Sequence, residues 1–123
     1  MKSILVINGY MSIPCKKNNL IISYRRKKSY PNKRVKEFTS YMQKIATQAV
    51  SEYIPFWNTM KPYEIQIDVV YGGNEIDIQN VFDIICDSLQ GIAYEDDKQI
   101  KSCRATKRYE KNVWKFNIKL IEL

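Results

Sequence analysis

Tyr63-Glu64-Ile65-Gln66-Ile67-Asp68-Val69-Val70-Tyr71-Gly72-Gly73, followed after a short gap by Ile78-Gln79-Asn80-Val81-Phe82-Asp83-Ile84-Ile85-Cys86-Asp87-Ser88-Leu89, carries the deciding pattern of this 123-residue chain. In the first run Tyr63, Ile65, Ile67 and Val69 alternate with Glu64, Gln66 and Asp68, the period of a strand with one buried face. Gly72-Gly73 ends it. In the second run Ile78, Val81, Phe82, Ile85 and Leu89 recur as the apolar stripe of an amphipathic helix. Gly91 supplies a C-terminal stop. A strand followed at once by a helix calls for a layer of each.

Upstream, Phe38, Met42, Ile45, Ala46, Ala49 and Val50 predict a long helix over residues 35–53, ended before Pro55. Ile4 to Ile7 reads as a first strand, left through the turn Asn8-Gly9-Tyr10. Residues 14–19 read as loop, Leu20 to Tyr24 as a second short strand, and Arg25 to Arg34 as a basic, Pro-containing loop. Trp57 and Met60 are expected to pack under a connecting segment. Downstream, Tyr94 to Gln99 is an acidic turn. Residues 100–109 and 112–121 read as two strands joined by Glu110-Lys111, with Trp114 and Phe116 in the core. The order is ββ-α-β-α-ββ: an α+β fold, one small domain over residues 1–123, with a mixed β-sheet and two main helices.

Composition narrows the chemistry. There is no histidine. That removes Ser–His and Cys–His triads and the usual general base, so any catalysis runs on carboxylates, Lys, Tyr or an oxygen-ligated metal. Cys15, Cys86 and Cys103 lack zinc-finger spacing and read as reduced thiols of a cytoplasmic protein. No apolar run reaches the ~20 residues of a membrane span, and the short apolar N-terminus reads as a strand. No membrane partner is expected.

Net charge is +7, and its distribution says more than its sum. Residues 1–62 hold 12 Lys/Arg against 2 acids, residues 63–99 hold 1 Lys against 9 acids, and residues 100–123 hold 7 Lys/Arg against 2 acids. An acidic centre between basic arms suits a metal site set in a phosphate-binding surface. Asp83 and Asp87 are four apart and share one helix face, where like charges repel. A hard cation such as Mg²⁺ or Mn²⁺ would relieve that repulsion. Asp77 stands at the helix start, where it either caps the helix or joins the ion. Asp96-Asp97 follow the helix, and a loop and a helix start can converge on one ion. Lys16, Lys17, Arg25, Arg26, Lys27, Lys28, Lys33 and Arg34 are the candidate phosphate contacts. Lys101, Lys107, Arg108, Lys111, Lys115 and Lys119 read as solvent-face residues of strands.

The stretch from Asp77 to Ile100 resembles the signature of RusA-like Holliday-junction endonucleases, D-x-D-N-x-x-K-x-x-x-D-x-L-x-G followed by D-D-x-Q-[IV]. The matches are Asp77, Asn80, Asp87, Leu89, Gly91, Asp96, Asp97, Gln99 and Ile100. Ile7-Asn8-Gly9, Pro14 through Asn18 and Tyr30-Pro31-Asn32-Lys33 resemble the family's N-terminal pieces. The resemblance implies a homodimer that nicks paired strands of four-way junctions, using Mg²⁺ or Mn²⁺, in recombination and repair. It implies catalytic Asp77, Asp96 and Asp97, with Asp77 and Asp97 at the metal; Gln79, through a neutral oxygen, and Asp83 are further candidates for the metal, and Asp83 for catalysis. Two positions depart from the signature. Its second Asp is Gln79 and its Lys is Asp83. Asp83 lies one turn beyond Gln79 on the same face and can restore the missing carboxylate, and Glu75 is a second replacement. The same departures imply an alternative, a catalytically impaired protein that binds branched DNA.

Overall fold

The computed structural model describes residues 4–13, 20–23, 28–31, 33–53, 57–58 and 60–123. Strand β1 spans Ile4–Gly9, β2 Leu20–Ser23, β3 Lys28–Pro31, helix α1 Lys33–Tyr53, β4 Tyr63–Tyr71, α2 Ile78–Leu89, β5 Ile100–Tyr109 and β6 Lys115–Glu122. Four strands form one mixed sheet in the order β1-β6-β4-β5. The β1–β6 and β6–β4 pairs are antiparallel and the β4–β5 pair is parallel. A parallel pair requires a crossover, and α2 supplies it.

Both helices cover one face of this sheet. Leu5 and Ile7 of β1, Ile65 and Ile67 of β4, and Phe116, Ile118 and Leu120 of β6 are buried against Phe38, Met42 and Ala46 of α1 and Val81, Ile85 and Leu89 of α2. The alternation read in residues 63–71 is therefore the pleat of the central strand β4, whose Tyr63, Ile65, Ile67 and Val69 all face inward. Phe116 lies edge-on to Phe38 and Tyr41. Its ring occupies the space a Cβ at position 9 would take, 1.9 Å from the ring tip, so only glycine fits there.

The expected order and the bounds of β4, α2 and β5 hold. Three details differ. Residues 28–31, read as loop, pair with β2 in a separate two-stranded hairpin, because Tyr30 and its neighbours gain ladder hydrogen bonds that a loop reading ignores. The last strand starts at Lys115 rather than residue 112. Asn112 adopts positive φ (61°), and the turn is tied to β4 through Glu110 N–H to Tyr71 O and Asn112 N–H to Gly72 O. Trp57 does pack, stacked on Tyr63 and donating to the Ala93 carbonyl at 2.8 Å. Met60, by contrast, is 66% exposed. Among the described residues no helix is long and apolar enough to cross a membrane.

Candidate active site

The chain direction fixes where the acids can meet. Helix α2 runs back along β4, and β5 then runs parallel to β4. The segment just before β5 therefore lies beside the end of α2, while the segment just before α2 lies beside the far end of β5.

At the first of these places an open cleft of about 400 Å³ is lined by Phe82, Asp83, Cys86 and Asp87 of α2 and by Asp97, Ile100 and Cys103 at the start of β5. Val81, Ile85 and Leu89 turn inward, so Asp83 and Asp87 are left one turn apart on the outer side. Burial lifts the Asp87 carboxyl above the usual aspartate range, and the negative charges of Asp83 and Asp97 lift it further. The charges of Asp83 and Asp97 thus reach Asp87 across the cleft. Burial also pushes the Cys86 thiol up to about 12, with Asp87 and Asp83 adding to the effect. That thiol stays protonated at neutral pH and is no nucleophile. Burial likewise raises the Tyr94 hydroxyl, which donates to the Cys86 carbonyl at 2.6 Å.

Asp96 and Asp97 have separate roles. Asp96 caps the single 3-10 turn Asp97–Gln99, its carboxylate accepting from Lys98 N–H at 2.8 Å. The Gln99 side chain accepts from Glu95 and Asp96 N–H and donates to the Lys61 carbonyl at 2.8 Å. Those bonds lock the turn and leave Asp97 facing the cleft. The Lys98 backbone bond, then the Asp97 side chain, hold the Asp96 carboxyl below its ordinary range. Asp96, read from sequence as catalytic, is used as a cap.

The other end of α2 carries different electrostatics. Asp77 is its N-cap, accepting from Gln79 N–H at 3.0 Å and Asn80 N–H at 3.4 Å. Neither Asp77 nor Gln79 lines the cleft. The expected convergence of Asp97 on the helix start is replaced by convergence on Asp83 and Asp87, for the topological reason given above. Next to Asp77, Lys107 pairs with Glu75 and donates to the Ile76 carbonyl at 2.7 Å. Tyr71 donates to the same Glu75 at 2.9 Å. These two bonds, Lys107 first, hold the Glu75 carboxyl below its usual range, and Glu75 in turn raises Lys107 and Tyr71. Lys107 thus points to the helix side of β5 and fixes the β4–α2 connection, against its reading as a solvent-face lysine. Asn80 presents a buried Nδ2 with no hydrogen-bond partner among the described residues.

Of the predicted phosphate contacts, Lys33 and Arg34 are exposed in the first turn of α1, and Lys33 lies 3.9 Å from Glu37. Lys16, Lys17, Arg25, Arg26 and Lys27 lie outside the described residues, as does the side chain of Lys28. Cys103, Ile100 and Phe82 also line the cleft, though none of them was read as a site residue. Only the parallel β4–β5 pairing, which periodicity alone does not reveal, brings them there.

A family profile described as Endodeoxyribonuclease RusA matches residues 13–121, nearly the whole chain. The chain belongs to the RusA endodeoxyribonuclease family. No curated protein matches it. Membership makes DNA phosphodiester cleavage the activity against which the site is judged. It also explains the pattern Asp96-Asp97-x-Gln99 physically. In this RusA-family chain the first acid and the glutamine build a turn, and the second acid is presented to the cleft. The cleft's donors are hard carboxylate oxygens, the chemistry that suits Mg²⁺ or Mn²⁺. As they stand, no three acidic or thiol side chains among the described residues are close enough to enclose an ion. Mg²⁺ often keeps several waters and takes one or two carboxylates plus substrate phosphate.

Proposed function

We propose that this protein is a divalent-metal-dependent endonuclease that nicks paired strands of four-way DNA junctions in recombination and repair. It acts in the cytoplasm as a homodimer. The observation that carries the reading is the cleft of Asp83, Asp87 and Asp97 in a RusA-family chain. A two-fold protein suits a branched substrate whose two cuts are related by symmetry.

Asp83, Asp87 and Asp97 would hold Mg²⁺ or Mn²⁺. Such an ion, when bound, offsets the charge that builds on phosphate and leaving oxygens. The chain's own residues do the rest. Asp97 is held in place by the capped turn behind it. Asp83 stands where the family signature has a lysine, so the cleft supplies carboxylates and no cation of its own. Phosphate clamping therefore falls to the basic segments, Lys16, Lys17, Arg25, Arg26, Lys27, Lys28, Lys33 and Arg34. Asp77 caps α2 and so steadies the start of the helix that carries Asp83 and Asp87.

Cleavage of a synthetic four-way junction with Mg²⁺ or Mn²⁺ tests this reading. The wild type should nick opposite strands, and Asp97→Asn should be at least ~100-fold slower, the scale of losing one electrostatic group from a catalytic site. An intact junction with folded wild-type protein and both metals would overturn it. Gln79 and Asp83, the two departures from the signature, favour a second reading, a binding-only relative. That reading predicts tight junction binding with no metal site in calorimetry at millimolar Mg²⁺ or Mn²⁺.

A further inference from the structure

We propose that the sheet face opposite the helices is a second phosphate-binding surface, which grips the duplex arm leaving the acidic cleft around strand β5. This inference rests on the junction-cleaving reading above.

The register fixes what that face displays. Gln66 of β4 lies between Lys119 of β6 and Arg104 of β5. Two rows further on, Val70 lies between Lys115 and Arg108. Each row crosses three strands, so its two cations stand about 10 Å apart, and the rows are about 13 Å apart along the strands. Arg104, Arg108, Lys115 and Lys119 are all exposed. No ion pair engages Arg104, Lys115 or Lys119 among the described residues. Arg108 has only a long contact of 3.5 Å with Glu110.

Two acids share the face, and each accepts a hydrogen bond from a neutral side chain. Glu64 accepts from Gln66 at 2.8 Å and from Ser102 at 2.9 Å, and Asp68 accepts from Thr106. Arg104, Lys115 and Lys119 thus stand on this face with no ion pair among the described residues, beside the exposed Ile4 and Val6 of β1. Duplex DNA carries one charge per ~1.7 Å of axis, both strands counted, so a 13 Å length holds about eight phosphates, and those on its near side can meet the cations. A second copy laid on the same face would set these cations against their own kind, which disfavours that occupant.

Strand β5 connects this face to the cleft. Cys103 lines the cleft on the helix side, and the next residue, Arg104, points to the other side. As an edge strand, β5 has nothing beyond it in the sheet. A phosphodiester in the cleft thus has its continuing backbone one strand's width from Arg104.

The test is fluorescence anisotropy of a labelled four-way junction in metal-free buffer across a salt series. It compares wild type, Arg104→Gln/Lys119→Gln and Arg104→Lys, with melting and sedimentation run on each. The double variant should bind at least ~10-fold more weakly at moderate salt. Its log–log salt slope should fall by about two, one per lost phosphate contact, and Arg104→Lys should keep the wild-type slope. An unchanged slope with folded protein overturns this surface while leaving junction cleavage standing. So does a double variant whose dimer dissociates while its slope stays the same, since the face would then join two copies. A wild type that neither binds nor cuts the junction defeats the functional reading, and this surface with it.

Discussion

Asp97, at the start of the turn into β5, shares the cleft with Asp87, near the end of α2, and its negative charge adds to the burial that makes Asp87 harder to ionise. The contact follows from a parallel β4–β5 pair, which returns the chain to the end of the crossover helix. It brings together acids ten positions apart in the sequence and leaves Asp77, at the other end of the same helix, as a cap.

The raised Asp87 carboxyl gives a signed pH dependence. A folded-state value above the unfolded one means that the folded protein holds the extra proton, so stability falls as pH rises from the ordinary carboxylate range through the folded value. Asp87→Asn should therefore raise the melting temperature at pH 7, and the gain should vanish in acid. The site is largely solvated, so the gain should stay near that of relieving one like-charge helical pair, roughly 0.2–0.5 kcal/mol. Melting curves at pH 3.5 and pH 7 check the sign.

Asp96 should behave in the opposite way. Its carboxyl is held low by the Lys98 N–H it accepts, so its support of the turn is present at neutral pH and lost as pH falls through the folded value. Asp96→Ala should lower the melting temperature at pH 7, with the difference from wild type shrinking in acid. Asp96→Asn, which can still cap, should retain junction cleavage. A loss of cleavage in a well-folded Asp96→Asn protein would assign that acid to chemistry.

Gly9→Ala should destabilise by about 1–3 kcal/mol, the usual cost of overpacking. The added methyl meets the Phe116 ring, itself wedged against Phe38 and Tyr41. Chemical denaturation of the variant, and of Gly9→Ala with Phe116→Leu, checks this. The second change makes room and should recover part of the loss.

Asn80 separates stability from function. Its Nδ2 is buried without an acceptor among the described residues, so the apolar near-isostere in Asn80→Leu should leave stability unchanged or raise it by about 1 kcal/mol. Junction cleavage should fall if that amide donates to bound substrate. Parallel melting and cleavage measurements on Asn80→Leu read out both.

Much of the fold was legible from local pattern. The alternation in residues 63–71 and the stripe from Ile78 to Leu89 are strong periodic signals, and the structure keeps both with the same bounds. Strand β3 was hidden because its four residues are polar, basic and include Pro31, and hairpin pairing decides their state. The site was half legible. Asp83 and Asp87 share a face by helix geometry alone, and Asp97 stood out through the family signature. Which end of α2 Asp97 would meet depends on strand order, a long-range fact that spacing does not encode. Lys107 was misjudged for the same reason, since alternation says that residues share a face but not which face the helices cover.

Manganese titration by electron paramagnetic resonance, on the wild type, Asp97→Asn and Asp77→Asn, tests most directly whether the cleft is where the ion sits. Wild type should show a saturable site, Asp97→Asn should lose it, and Asp77→Asn, which still caps α2, should keep it. A site that survives Asp97→Asn, or that disappears in a folded Asp77→Asn protein, would move the metal to the start of the helix and contradict this account.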